Sequence, residues 1–206
     1  MVNVMIEVEI KVRIPDPQKI REKFEEYNGI YKISLIHEDT YFNMPKGLRD
    51  FKKTDEALRV RKSVQFNKRD KSKIKITSFY FTYKGKKIDN ATKTRKEIEI
   101  KIEDIDKMIS ILKELGFQEV LTVKKERELY EFEYKFYFLE VLIDYLPILD
   151  QYFIEVEFLL DSEDNVNEIK DILFDFLSLF NIKKEESIRK SYLELISEKL
   201  TANLKD

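Results

Sequence analysis

The chain has no cysteine, one histidine, four glycines and four prolines among its 206 residues. Without cysteine there can be no disulfide and no thiolate metal site. The single histidine, His37, excludes a His-rich zinc centre and any Ser–His–Asp or Cys–His scheme that does not use it. A metal would therefore be a hard ion held by carboxylates, Mg2+ or Mn2+. The scarcity of Gly and Pro leaves no linker of the usual composition. A strong net charge is also missing: 38 Lys and Arg against 40 Asp and Glu leave −2. That balance gives no support for nucleic acid or membrane as a partner, so any basic site must be local. No apolar run reaches the length of a signal peptide core or a membrane span, and the expected compartment is a reducing cytoplasm. Gly-x-x-x-x-Gly-Lys, Gly-x-Gly-x-x-Gly and Gly-x-Ser-x-Gly are all absent, so P-loop, dinucleotide and hydrolase-elbow chemistries are unsupported.

What is present is charge and alternation. Charged residues make up 38% of the chain and hydrophobic ones 43%, enough for a sizeable core in one large domain. Period-2 alternation predicts strands near 4–14, 36–44, 56–65, 74–86, 94–103, 121–132, 136–146 and 152–160. Helical patterns fall near 17–27, 105–115, 164–179 and 185–200. Pro17 after Asp16 suits a helix start, and Gly116 a helix stop. Residues 65–73 read as a hairpin loop, whose basic run is expected to be solvated. Strands and helices are segregated rather than alternating, which favours an antiparallel α+β or barrel fold over a doubly wound sheet.

Successive strand side chains point to opposite faces. Glu7, Glu9, Lys11 and Arg13 share one face of the first strand, with Val8, Ile10 and Val12 on the other. Arg59 and Arg61 share a face, as do Thr82 and Lys84. So do Arg95, Glu97, Glu99 and Lys101, and likewise Lys125 and Arg127. Leu142 and Asp144 lie with Glu140, and Glu155 with Glu157. An open sheet with a wet charged face would show this pattern, and so would a closed barrel with charges inside and helices outside. Periodicity does not separate the two. Carboxylates two apart suit a hard cation, and Arg at the same spacing offers forked donors to phosphate oxygens. A polyanion with its metal would satisfy both sets. Phosphoryl chemistry needs little beyond such positioning and charge. A glycosidase could use two of the carboxylates but would not need the rows of bases. His37 is read as incidental rather than catalytic, and Phe174, Phe176, Leu177 and Phe180 as helix core.

Glu7-x-Glu9-x-Lys11 resembles the ExExK signature of the CYTH superfamily, the triphosphate tunnel metalloenzymes. Further segments follow in the family's order over nearly the whole chain: Asp39-Thr40-Tyr41-Phe42, Leu58-Arg59-Val60-Arg61, Tyr83-Lys84-Gly85 and Arg95-Lys96-Glu97-Ile98-Glu99. Leu115-Gly116-Phe117 leads to Lys125-Glu126-Arg127 and Tyr130, and Ile143-Asp144, Glu155-Val156-Glu157 and Ser191-Tyr192-Leu193 complete the set. The resemblance implies an α+β fold built on an eight-stranded antiparallel barrel with a charged lumen. It implies a single domain over 1–206 that includes the C-terminal helix 185–200. It implies metal ligation by Glu7, Glu9, Asp144, Glu155 and Glu157, with Mg2+ or Mn2+ as cofactor. Substrate contacts would come from Lys11, Arg59, Arg61, Lys84, Arg95, Lys125, Arg127 and Lys190. By the same resemblance, Glu7, Glu9, Lys11 and Glu157 would form the catalytic set. Lys190 is expected at a tunnel mouth closed by the C-terminal helix. The partner would be a small molecule carrying a triphosphate, and a homodimer is a candidate assembly.

Three activities fit that clamp. Triphosphate hydrolysis is preferred, because the stretch 146–153 before Glu155 lacks the Leu-Gly dipeptide of cyclase-like members. Adenylyl cyclase is second, and a non-catalytic triphosphate sensor is third.

Overall fold

The structure is a computed structural model and describes residues 5–70, 74–89 and 91–204. Eight strands form one closed antiparallel barrel: β1 (Met5–Ile14), β2 (Ile30–Asn43), β3 (Ala57–Phe66), β4 (Lys75–Lys84), β5 (Arg95–Ile102), β6 (Gln118–Tyr134), β7 (Tyr137–Leu146) and β8 (Gln151–Leu160). Their order around the barrel is β1-β5-β4-β3-β2-β6-β7-β8. Closure removes the exposed edges that an open sheet would leave. Most neighbours share long ladders, β1 and β8 from Ile6↔Leu160 to Ile14↔Tyr152. The seam between β1 and β5 shows, among the described residues, the pairs Met5↔Glu97, Ile6↔Lys96 and Glu7↔Arg95. Beyond it, the Lys93 N–H donates to the Glu9 carbonyl at 2.9 Å.

The apolar faces point outward, under helices. Val8, Ile10, Val12, Val141, Ile143, Ile154 and Val156 lie beneath α1 (Pro17–Glu26) and α4 (Val166–Ser178). Phe24, Phe176 and Phe180 meet edge to face there, with ring centroids 5.1–5.2 Å apart. Burying each large apolar side chain contributes roughly 1.5–3 kcal/mol. A second core joins Leu112 of α3 (Ile105–Glu114) to Phe42, Leu58 and Val60. The helix ends follow their sequence signals. Asp16 accepts from the Gln18 and Lys19 N–H groups, each at 3.1 Å. Gly116 ends α3 at φ 84°, a left-handed position that glycine fills without strain.

Several predicted boundaries move. β2 starts at Ile30 rather than 36, because an irregularity between Tyr31 and Ile33 breaks the alternation. β6 is likewise longer than 121–132. The C-terminal helix is α5, Tyr192–Asn203, rather than 185–200. A 3-10 turn at Lys184–Glu186 precedes it, and the Ile188 N–H then docks on the Lys11 carbonyl at 2.7 Å. Ser191 starts α5 with a capping box, accepting from the Glu194 N–H at 3.2 Å. The one-turn α2 (Phe51–Thr54) has no counterpart in the predicted elements. Val4 and residues 71–73 of the expected hairpin loop lie outside the described residues. No helix among the described residues is long and apolar enough to cross a membrane.

Candidate active site

The charged faces of the strands turn inward and line a cavity of about 1350 Å3. Its walls carry Glu7, Glu9, Arg59, Arg61, Lys84, Lys93, Arg95, Lys125, Arg127, Glu155 and Glu157. Of the open alternatives in the sequence, the barrel with charges inside is the one formed.

The bases on one wall are braced by acids. Arg61 grips Asp39 with two bonds, Nε to Oδ1 at 2.6 Å and Nη2 to Oδ2 at 2.8 Å. Arg59 reaches the same carboxylate at 3.4 Å. Burial alone would raise Asp39, but the two guanidinium groups hold it well below the usual carboxylate range. Arg127 makes the matching fork with Asp144, at 2.6 and 2.7 Å, and also bonds Glu155. Lys84 lies 2.6 Å from both Glu7 and Glu97.

Two cations are different. Arg95 and Lys125 are buried and form no ion pair among the described residues. The Arg95 Nε has no hydrogen-bond partner. Burial, with Arg127 beside it, lowers Lys125 to about 8. Buried charge without a counter-charge is costly, so these two groups mark a place for an anion.

The acids show the opposite imbalance. Glu9, Glu157 and Glu140 sit side by side across β1, β8 and β7. Like charges directly opposite on neighbouring strands repel. One oxygen each from Glu7, Glu9 and Glu157 lies within 4.8 Å of the other two. Glu157 has its nearest base, Arg127, at 3.9 Å. Burial pushes Glu157 well above the usual carboxylate range, and Glu7, Glu9 and Glu155 add to the effect. A divalent cation among these oxygens would relieve the repulsion, so the three residues fit a hard metal ion.

The remaining predicted residues are placed otherwise. Asp144 has one oxygen on Arg127 Nε and the other shared by Arg127 and the Tyr192 hydroxyl, 2.8 Å away. Glu155 is bound by Arg127, by Lys93 at 3.0 Å and by Lys11 at 3.3 Å. Both act as braces for bases here. Lys11 is fully buried beneath α5, its ammonium 3.6 Å from the centre of the Tyr192 ring and 3.0 Å from the Lys190 carbonyl. Burial and the neighbouring Lys93 lower it to about 7. The Lys190 side chain turns outward to Glu198 at 2.7 Å, so the main chain of that residue, and not its ammonium, reaches inward. Arg13 is exposed, past the charged lumen.

Three residues of the site carry no role in the sequence reading: Asp39, Lys93 and Tyr192. Lys93 bonds Glu9 and Glu155 from a loop. Its signal was available, since Lys93, Arg95, Glu97 and Glu99 continue one alternation. Asp39 precedes Tyr41 on the same face of β2. Tyr192 announced nothing, because its position depends on where α5 docks.

The closed barrel with its charged lumen is the triphosphate tunnel fold. The chain belongs to the CYTH family, whose domain model matches residues 5–192. Members of that family are metal-dependent enzymes of triphosphates. A protein of Methanocaldococcus jannaschii named "Putative adenylate cyclase MJ0240" is 41% identical over 192 residues, which is 93% of this chain and 98% of that one. The solved PH1819 protein of Pyrococcus horikoshii OT3 matches with a TM-score of 0.80 at 39% identity, covering 94% of this chain and 99% of that one. A Hippeastrum protein, described as a "putative adenylyl cyclase" with a dominant triphosphatase activity, has a TM-score of 0.61 at 18% identity. That match covers 94% of this chain and 96% of that one, and shows a shared fold.

Proposed function

We propose that this protein is a metal-dependent triphosphatase that hydrolyses inorganic triphosphate or a small organic or nucleoside triphosphate. The observation that carries the reading is the pairing of two imbalances in one cavity. Among the described residues Arg95 and Lys125 are buried without an ion pair, and Glu7, Glu9 and Glu157 converge with the nearest base to Glu157 at 3.9 Å. A triphosphate with a divalent cation supplies both missing charges.

In this reading Glu7, Glu9 and Glu157 hold Mg2+ or Mn2+. The bound ion would position and acidify the attacking water and screen the phosphate charge. Arg59, Arg61, Lys84, Arg95, Lys125 and Arg127 bind and orient the phosphate chain. Asp39, Asp144 and Glu155 fix the directions of the guanidinium and ammonium donors, so little reorganisation accompanies charge transfer. Lys11 backs Glu155 from below, and the α5 start excludes water from that side.

Incubation with tripolyphosphate and Mg2+ or Mn2+ is expected to release orthophosphate. The double variant Glu7→Gln, Glu9→Gln is expected to lose metal-dependent turnover, and full activity in it would sink the metal assignment. The name of the 41% identical relative favours a second reading, adenylyl cyclase. Cyclic AMP and pyrophosphate from ATP, with no orthophosphate from tripolyphosphate, would replace the first reading with the second.

A further inference from the structure

Lys93 is buried, lines the cavity and has no part in the function proposed above. It comes from the loop between β4 and β5, which is fastened from outside the barrel. Asp89 accepts from the Ala91 and Thr92 N–H groups at 2.7 and 2.8 Å. Lys170 of α4 donates to the other Asp89 oxygen at 3.0 Å. Arg189 Nε donates to the Asp89 carbonyl and the Ser187 hydroxyl to the Ala91 carbonyl, each at 2.9 Å. On the inner side the Lys93 N–H bonds the Glu9 carbonyl. The loop is thus held at Asp89, at Ala91 and again at Lys93, and the lysine side chain enters the lumen beside Glu9.

Its ammonium joins two acids on neighbouring strands. It donates to Oε1 of Glu9 on β1 and, at 3.0 Å, to Oε1 of Glu155 on β8. Two carboxylates that converge on one point are the start of a divalent-ion site. Here the point is filled by a cation that is part of the chain. Glu155 has no oxygen to spare, since Oε2 bonds Arg127 and Lys11 adds to Oε1 at 3.3 Å. Glu9 also belongs to the set that converges with Glu7 and Glu157. On that side the nearest base to Glu157 among the described residues is Arg127, at 3.9 Å. The acids therefore divide into a pair closed by Lys93 and a set still open to an ion.

Resting on the metal-dependent function proposed above, we propose that Lys93 is a positioning residue that stands in for a second metal ion. Its ammonium closes the Glu9–Glu155 pair, and the protein itself holds a single divalent ion, on the Glu7, Glu9 and Glu157 side. A second ion at the closed pair would meet the ammonium's positive charge at close range, and like charges in a buried site repel strongly. A tethered ammonium also needs no recruitment: it neutralises the pair at any metal concentration.

The test counts ions. Mn2+ bound per chain is measured on the full-length protein, without substrate and near neutral pH, from the electron paramagnetic resonance signal of the free ion. The parent is expected to hold one tight Mn2+, with the spectrum of an isolated ion. Lys93→Met keeps the bulk of the side chain and removes its charge. It is expected to hold two, with the line broadening of neighbouring ions. Lys93→Arg keeps the charge and is expected to stay at one. A lysine that only held the loop would leave the count at one in every folded variant. A parent that binds two neighbouring ions would overturn the assignment, as would a folded Lys93→Met that stays at one, and both results leave the triphosphatase reading standing. A parent that binds no Mn2+ overturns the metal ligands of the proposed function along with it. The parent's own count keeps the test decisive even if Lys93→Met does not fold.

Discussion

The Tyr192 hydroxyl donates to Asp144 Oδ2 at 2.8 Å, joining the first turn of α5 to a carboxylate with no exposed surface. That bond ties the C-terminal helix to the floor of the cavity. Tyr192→Phe keeps the ring but leaves one acceptor of Asp144 short of a donor. A loss of about 1–2 kcal/mol of stability is expected, measured by chemical denaturation.

The same contact sets Asp144 apart from the proposed metal ligands Glu7, Glu9 and Glu157. Mn2+ titration followed by electron paramagnetic resonance is expected to show a larger loss of affinity for Glu157→Gln than for Asp144→Asn. The second variant instead weakens the brace on buried Arg127, at a cost of about 3 kcal/mol. A folded Asp144→Asn that loses Mn2+ as fully as Glu157→Gln would refute this division of roles.

Asp39 gives a pH signature. Its folded value lies well below the ordinary 3.8 because Arg61 and Arg59 outweigh burial. A depressed carboxylate stabilises the fold above its unfolded pKa, and the contribution is lost as pH falls through the folded value. The stability gap between the parent and Asp39→Asn is therefore expected to be full near pH 7. It should shrink steadily below about pH 4. A gap that stays constant down to pH 2 would count against the Arg61–Asp39 brace.

Lys125 gives the opposite signature, in binding. Its folded value is about 8 rather than 10.5, through burial and Arg127. Its charge is present below pH 8 and lost above it. Tripolyphosphate affinity in EDTA is expected to fall between pH 7.5 and 9.5, by up to about tenfold. Lys125→Met should bind more weakly at pH 7 and lack most of that decline.

Gly29 tests the packing outside the barrel. A Cβ there would lie 2.3 Å from the Phe132 ring, whose neighbours are Phe24 and Phe176. Gly29→Ala is expected to destabilise by about 1–3 kcal/mol, as overpacking does in tight cores. Thermal denaturation would measure it.

The sequence was most informative where alternation is unbroken. Glu7-x-Glu9 and Arg59-x-Arg61 show their inward faces directly, because side chains on one strand two apart must point the same way. It was least informative where position depends on docking. Lys190 and Tyr192 are two residues apart near the start of α5, yet one turns out to Glu198 and the other covers Lys11. No periodicity encodes that difference, since the main chain is not helical until Tyr192. The division of the acids was equally hidden. Asp144 and Glu155 look like Glu7 and Glu157 in sequence, and only the positions of Arg127, Lys93 and Lys11 turn them into braces.

The seam between β1 and β5 links occupancy of the cavity to the mechanics of the barrel. Glu7 and Arg95 are partners in that seam, and one belongs to the acid cluster while the other is a cation without an acid. Under the proposed function, Glu7 would hold the metal ion and Arg95 the phosphate, so both partners of this pair would be loaded from inside the cavity. Ligand binding then becomes a clasp on the cylinder. That joint is the one a bound substrate would hold shut, and hydrogen exchange along β1 and β5 should slow more on binding than exchange along β2 and β6.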